Sequence, residues 1–297
     1  MSISRRSLLA APLALAAVSP AAAAETITVA YAGSMGRLMD KGLNPSFSAA
    51  QGVDVHGIPD GAVALAHLIT GGVLKVDVFV PVSAGPAKIV EAAGLVAGKA
   101  VPVASTSMVL AYSPVSKFAA RLSAAKGAEW TKIFLNPDFR LGRTNPEIDP
   151  QGRYVLFALQ LAEAYYKLPG FAGRVAGPLL NSKQIFAEPS LLARLQAGQI
   201  DATLGYKSAV VSQNLPFIEL PGAVNLSNPA LKAGYANASL EVKGKIYHPS
   251  PLVFYAMALK GAADPTAAAD YVSFLAGPDG QAIFKRFGYG PSRGEAV

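Results

Sequence analysis

The chain of 297 residues contains no cysteine. That excludes a disulfide framework, a thiolate metal site and a cysteine nucleophile. Histidine is almost as scarce: His56, His67 and His248 are the complete set, and none stands at a useful spacing from a second metal-type ligand. Charged residues make up only 15% of the chain, with no Lys/Arg run interleaved with aromatics, so nucleic acid is not an expected partner. Past the N-terminal segment no apolar run approaches the roughly 20 residues that a membrane helix needs. There is no G-x-S-x-G elbow, no Walker loop and no G-x-G-x-x-G after a strand. The chain is therefore not expected to be an enzyme or to carry a cofactor.

What is present is apolar and long. Hydrophobic residues reach 52%, enough for a sizeable core, and the length suits two domains. Residues 1–24 read as an export leader: Arg5-Arg6 in a basic n-region, Leu8 to Val18 as a short apolar run, and Ala22-Ala23-Ala24 as the cleavage site. The paired arginines resemble a Tat signal, although a Sec leader can carry two arginines as well. Loss of Arg5 and Arg6 takes the net charge from +7 to +5 (7 − 2). That mildly basic balance helps to attract a small anion.

From Glu25 the sequence alternates strand-like and helix-like stretches. Strands are expected at 25–30, 53–58 and 76–80, with helices at 37–48, 62–70 and 86–93. Alternation of this kind specifies a parallel α/β sheet covered on both faces. Two strand pieces fall within Val101–Tyr112. A second set follows, with short strands at 139–143, 202–206 and 217–220 and helices at 151–166 and 190–197. A strand at 250–259 and helices at 265–275 and 280–287 close the chain. The order predicts two α/β lobes, 25–103 plus 251–297 and 104–250. The chain would cross between them near 103–107 and again near 245–251, so that the lobes could close like a hinge.

Ligands of such sheets collect where helix N-termini meet the carboxyl ends of strands. Three turns there are built for close backbone approach: Gly33-Ser34-Met35-Gly36, Pro59-Asp60-Gly61-Ala62 and Asp149-Pro150-Gln151-Gly152. Each offers backbone N–H groups at a positive helix end, and Ser34 adds a hydroxyl donor. Asp149-Pro150 reads as N-cap followed by N1. Taken one at a time, each turn is equally a well-capped loop. Arg37, Arg143 and Arg153 are candidate anion clamps, with a structural role the commoner alternative. Glu188-Pro189-Ser190 is a further helix start that could donate N–H groups.

Several of these stretches resemble the periplasmic molybdate/tungstate-binding proteins of ABC importers. Ala32-Gly33-Ser34-Met35 is similar to the family's first-strand turn, whose serine hydroxyl and following N–H hold the oxyanion. NPEIDPQGRY with LQLAEAYY resembles the archaeal-type subgroup, in which the aspartate before the proline binds the metal centre. IDATLGYKS resembles the strand that ends in a ligand-facing tyrosine, here Tyr206. PFIELP, the NLSNP loop and GPDGQAIFKRFG extend the likeness, in order, over most of the mature chain. The resemblance implies a type II periplasmic-binding-protein fold with a ligand cleft between two lobes, and a monomer that delivers its ligand to an inner-membrane ABC permease from the periplasm.

Two positions depart from that subgroup. Gly205 stands where it has a glutamate beside the tyrosine, and Ala62 where its second turn has a serine. Without a carboxylate at position 205, six-coordination of the metal loses a ligand, and a tetrahedral, hydrogen-bonded anion is the expected mode. The ligand residues are then Ser34, Met35 and Ala62 from one lobe and Asp149, Gln151 and Tyr206 from the other. The Asn145–Tyr166 segment is expected to bind through its backbone, with Asp149 as cap; coordination by Asp149 to the metal of a bound oxyanion stays open. An ionised Asp149 would repel the anion by roughly 4 kcal/mol at about 4 Å and an effective dielectric near 20. Molybdate and tungstate are not distinguished. The space at Ala62 and Gly205 leaves sulfate, phosphate, a phosphonate or a small carboxylate as alternatives, and an exported enzyme using Asp149 and Tyr206 as the remote one.

Overall fold

A computed structural model of the chain describes residues 26–297. The leader and its cleavage point after Ala24 lie outside the described residues. Eleven strands form among them: β1 Thr26–Ala32, β2 Asp54–Asp60, β3 Val78–Val80, β4 Val101–Ser105, β5 Met108–Tyr112, β6 Leu141–Gly142, β7 Ala202–Tyr206, β8 Phe217–Glu219, β9 Leu240–Val242, β10 Lys245–Tyr247 and β11 Val253–Ala258. One sheet has the order β2-β1-β3-β11-β4, a second has β6-β7-β5-β8, and β9 and β10 form a hairpin.

The first sheet shows why the alternating segments fold as strands. Ile27, Val29 and Tyr31 of β1 enter one core, with Val78 and Val80 of β3 and Phe254, Ala256 and Ala258 of β11. Ala30, Phe79, Val253, Tyr255 and Met257 enter the core on the opposite face. Period-2 side-chain direction thus buries both faces, and helices cover each. The second sheet repeats this: Met108, Leu110 and Tyr112 of β5 join one cluster and Val109 and Ala111 another.

The sheets are mixed, not purely parallel as the alternation suggested. β11 runs antiparallel to β3 and β4, and β5 runs antiparallel to β7 and β8. Both are strands that enter from the other half of the chain, so each meets its sheet from the carboxyl edge. The expected helix over 37–48 is also subdivided. A 3-10 turn (Gly33–Met35) and one α turn (Gly36–Leu38) lead into a π turn (Met39–Leu43) before the helix Asn44–Gln51. Pro45 is the physical cause: it lacks an N–H and its ring would strike the carbonyl four residues back, and the wider π register relieves both. Finally, Lys245–Tyr247, expected as part of the return crossing, pairs with β9 instead.

The topology fixes the position of the site. β4 leaves the first sheet at its carboxyl edge, and two residues later β5 enters the second, with Met108 opposite Tyr206 at the end of β7. The carboxyl edges of both sheets therefore open onto the segment Ser105–Ser107.

Candidate functional site

In the first sheet, β1 and β2 are in register to their ends, with Ala32 opposite Asp60. The turns that follow, Gly33–Met35 and Gly61–Ala62, are therefore neighbours; a Cβ on Gly33 would lie 3.8 Å from the Asp60 carbonyl oxygen. Ser34 is exposed, whereas Met35 is fully buried in the core. Burial of that side chain stabilises the turn by about 2 kcal/mol, so Met35 anchors the turn and its side chain is not available to a ligand. Ala62 is the first residue of the helix Ala62–Thr70, with Gly61 as an N-cap that has no side chain to accept a bond. The first-turn N–H groups of that helix have no intrahelical acceptor. The Gly61 N–H itself is taken by Asp60 Oδ1 at 2.7 Å.

The second cluster is built differently. Asp149 caps the helix Pro150–Tyr166, its Oδ1 accepting from Gln151 N at 2.8 Å. Pro150 has no N–H, and the Gln151 N–H is engaged, so this helix start has little backbone left to offer. The expectation that the Asn145–Tyr166 segment binds through its backbone is corrected to that extent. What remains is the Gln151 side chain. Gln151 is buried, its amide makes no hydrogen bond among the described residues, and its Nε2 lies 3.7 Å from where a Cβ on Gly205 would stand. Tyr206 ends β7 beside it and stacks edge-on with Tyr154, ring centroids 6.1 Å apart. The Tyr154 hydroxyl donates to the Ser250 carbonyl at 3.0 Å.

Asp149, Gln151, Gly205 and Tyr206 are thus one group, and Ser34, Met35 and Ala62 another, on either side of the crossover. Arg37, three residues after Ser34, ties the two together: its Nη1 donates to the Ser212 carbonyl, on the helix that Tyr206 caps, at 2.5 Å.

The other two arginines have structural partners. Arg153 donates to the Pro146 carbonyl at 3.2 Å and lies over the Tyr247 ring. Arg143 is fully buried, donating to Gln184 Oε1 and to the carbonyls of Pro178 and Leu179 at 2.9–3.1 Å. No carboxylate faces it, and burial lowers its pKa from the ordinary arginine value. Ser190 Oγ donates to Ala187 O at its own helix start. Among the described residues no three His, Cys, Asp or Glu side chains gather as a metal site, and no helix is long and apolar enough to cross a membrane.

A family model for bacterial extracellular solute-binding proteins matches residues 27–290. The chain belongs to that family. Among the relatives of this solute-binding protein is a Haloferax volcanii protein, provisionally named an ABC transporter molybdenum-binding protein; it is 31% identical over 220 residues, covering 73% of this chain and 66% of that one. The molybdate/tungstate-binding protein WtpA of Thermococcus kodakarensis is 27% identical over 202 residues, 61% of this chain and 57% of that one. The matches thus span roughly six tenths of those relatives' lengths. A substrate-binding domain from Clostridium difficile, provisionally assigned to a molybdenum ABC transporter, superposes with a TM-score of 0.65 at 19% identity, covering 92% of this chain and 100% of its own. That likeness establishes the two-lobe binding-protein fold.

Sequence reasoning missed the spent donor at Gln151 and the place of Tyr154 beside Tyr206. Tyr154 carries a signal in hindsight: it lies four residues after Pro150, one turn into the helix that starts at the site.

Proposed function

We propose that this solute-binding protein captures a small oxyanion, molybdate or tungstate, between its two lobes in the periplasm and hands it to an ABC permease, acting as a monomer and without turnover. The lobes are 25–103 plus 251–297 and 104–250. The observation that carries this reading is the pairing of two donor sets across the crossover. Backbone N–H groups and the Ser34 hydroxyl stand on one side, and the Gln151 amide and Tyr206 hydroxyl on the other. A tetrahedral oxyanion needs several convergent donors, and closure removes the water that competes for them. The names of the relatives from Haloferax and Thermococcus support molybdenum and tungsten over other anions.

With the neutral Gln151 amide over Gly205, the second lobe offers a donor where a metal-coordinating carboxylate would otherwise stand. The anion is then held as a tetrahedron by hydrogen bonds, and Asp149 serves as cap. Titration calorimetry with molybdate, tungstate, sulfate and phosphate tests the reading. Molybdate and tungstate should bind at least about a hundredfold more tightly than the other two, a gap of roughly 3 kcal/mol. Equal affinity for sulfate would overturn the ligand assignment. Ser34→Ala should cost about 1–3 kcal/mol of binding, since a buried acceptor loses its donor; unchanged affinity would remove Ser34 from the site.

A further inference from the structure

A cavity of about 450 Å³ opens at the crossover, and none of the residues of the two donor clusters lines it. The clusters follow β1, β2, β6 and β7; the cavity takes Ser105 of β4 and Glu219 of β8, the strands at the opposite edges of the two sheets. It meets the second cluster only at Lys207, which follows Tyr206 in the chain. Its floor is the crossover itself, Ser105 to Ser107. One wall comes from Lys207 and the loop carrying Ser227 and Asn228, the other from Lys285 and the C-terminal tail with Arg293.

The tail is fixed there. Gly290 and Ser105 exchange backbone hydrogen bonds of 2.7 and 3.1 Å, and Ser105 Oγ donates to the Pro291 carbonyl at 2.8 Å. Further on, a Cβ on Gly294 would lie 3.3 Å from Pro229 of the opposite wall, so the tail bridges the two walls.

The charges of the lining are Lys207, Lys285 and Arg293 against Glu219, a net +2 (3 − 1). Glu219 is already paired with Lys207. Lys285 and Arg293 have no carboxylate within 4.0 Å among the described residues. The hydroxyls of Ser107 and Ser227 and the amide nitrogen of Asn228 also make no hydrogen bond within the described chain. Unmatched cations and idle donors from both walls thus face one concave volume of the size that holds small organic ligands. Cations on one wall and uncharged donors on the other and on the floor suit a ligand with more than one carboxylate, one held by charge and another by hydrogen bonds.

We propose that this cavity is a second anion site, selective for a small di- or tricarboxylate that bridges the walls at the crossover. The site is independent of the oxyanion reading. Because its walls belong to both halves of the chain, an occupant contacts both at the point where they join, and any coupling to the first site must be reciprocal.

The test is calorimetric titration of citrate into the full chain at low ionic strength, with and without molybdate present. One citrate should bind per chain in both cases. The variant Lys285→Ala/Arg293→Ala should bind citrate about tenfold more weakly or worse. Both side chains are exposed, so its melting temperature without ligand should stay at the wild-type value, and its molybdate response should persist. Absence of citrate binding, or equal citrate affinity in the double variant, would overturn the site. Inorganic phosphate binding as tightly as citrate would overturn the polycarboxylate class. Failure of molybdate to bind would count against the oxyanion reading alone, since the citrate arm without molybdate reads the second site separately.

Discussion

Two helices begin at the carboxyl edges of the two sheets, and they begin in opposite ways. The helix Ala62–Thr70 has glycine as its N-cap, so no side chain of its own consumes the first-turn N–H groups. The helix Pro150–Tyr166 has Asp149, which takes the Gln151 N–H, and a proline that has none to give. A cap and an anion compete for the same donors. On the proposed oxyanion reading, the first lobe would bind largely through its backbone and the second largely through side chains. One strand-to-helix motif, read twice, yields two kinds of half-site.

The sharpest way to break this contrast is to add a methyl-bearing side chain at each start. A Cβ on Gly152 would stand 2.4 Å from the Thr144 carbonyl oxygen and 2.9 Å from Pro146 N, both backbone atoms. Gly152→Val should therefore destabilise the protein by about 3 kcal/mol, the upper end of overpacking costs. It should also loosen oxyanion binding, because the loop bearing Asp149 must move. A Cβ on Gly61 meets only Ala64 Cβ at 3.9 Å, at a φ of −60° open to any residue. Gly61→Ala should cost under about 1 kcal/mol, as the loss of a tolerated cap. Urea denaturation of the pair checks both; equal losses would mean that the two starts are packed alike.

The contrast extends to the amino edges of the sheets, where each lobe buries an aspartate. Asp77 accepts from backbone only, Thr28 N at 2.6 Å and Ala263 N at 2.5 Å. Asp201, just ahead of β7, accepts from Ser116 Oγ at 2.6 Å and from Arg140 through its backbone N, Nε and Nη2 at 2.8–3.0 Å. Burial raises the pKa of Asp201, but the bonds from Arg140 and Ser116 outweigh it and hold the carboxyl below its ordinary value. A folded pKa below the unfolded one gives stability that is complete above the unfolded value, about 3.9, and is lost as pH falls through the folded value. Asp201→Asn should cost about 2 kcal/mol at neutral pH, less than for a fully buried pair because Arg140 is half exposed. It should also flatten the acid limb of a stability–pH curve below about pH 4. An unchanged acid limb would show that Asp201 is not the group that titrates there.

The local features of both half-sites were legible in the sequence. Asp before Pro announces a cap, and Gly-Ser-Met after an alternating strand announces a tight turn, because each depends on its own few residues. Strand direction was not legible: β5 and β11 alternate like any other strand, and nothing in the period tells which edge they enter from. Two signals were available and unread. Pro45 argues against an unbroken helix over 37–48, and Lys243-Gly244 between LEV and KIY is a two-residue hairpin turn, with φ of 50° and 76°. The Gln151 amide over Gly205 and the bonds of Arg143 to Pro178, Leu179 and Gln184 join residues 35 or more apart in the chain. Such contacts exist only in three dimensions, and they are what decides donor from spectator.

The smallest stability effect carries the most information about the second half-site. Asn caps a helix as well as Asp does, so Asp149→Asn should change stability by less than about 0.5 kcal/mol, while Asp149→Ala should lose about 1 kcal/mol. Binding separates the two roles that the carboxylate could play. As a cap, Asp149 contributes a negative charge that a dianion must tolerate; removing it in Asp149→Asn should leave molybdate affinity unchanged or tighten it. As a ligand to the metal of the oxyanion, it would be replaced by a neutral amide, and affinity should collapse while stability stays level. Asp60→Asn is the matching control in the first lobe: that exposed carboxylate holds only the Gly61 N–H, so its loss should move binding in the same direction as a lost capping charge, and by less. A fall in affinity for Asp149→Asn with no fall for Asp60→Asn would return the second lobe to metal coordination. It would make the difference between the half-sites one of bond type as well as of donor.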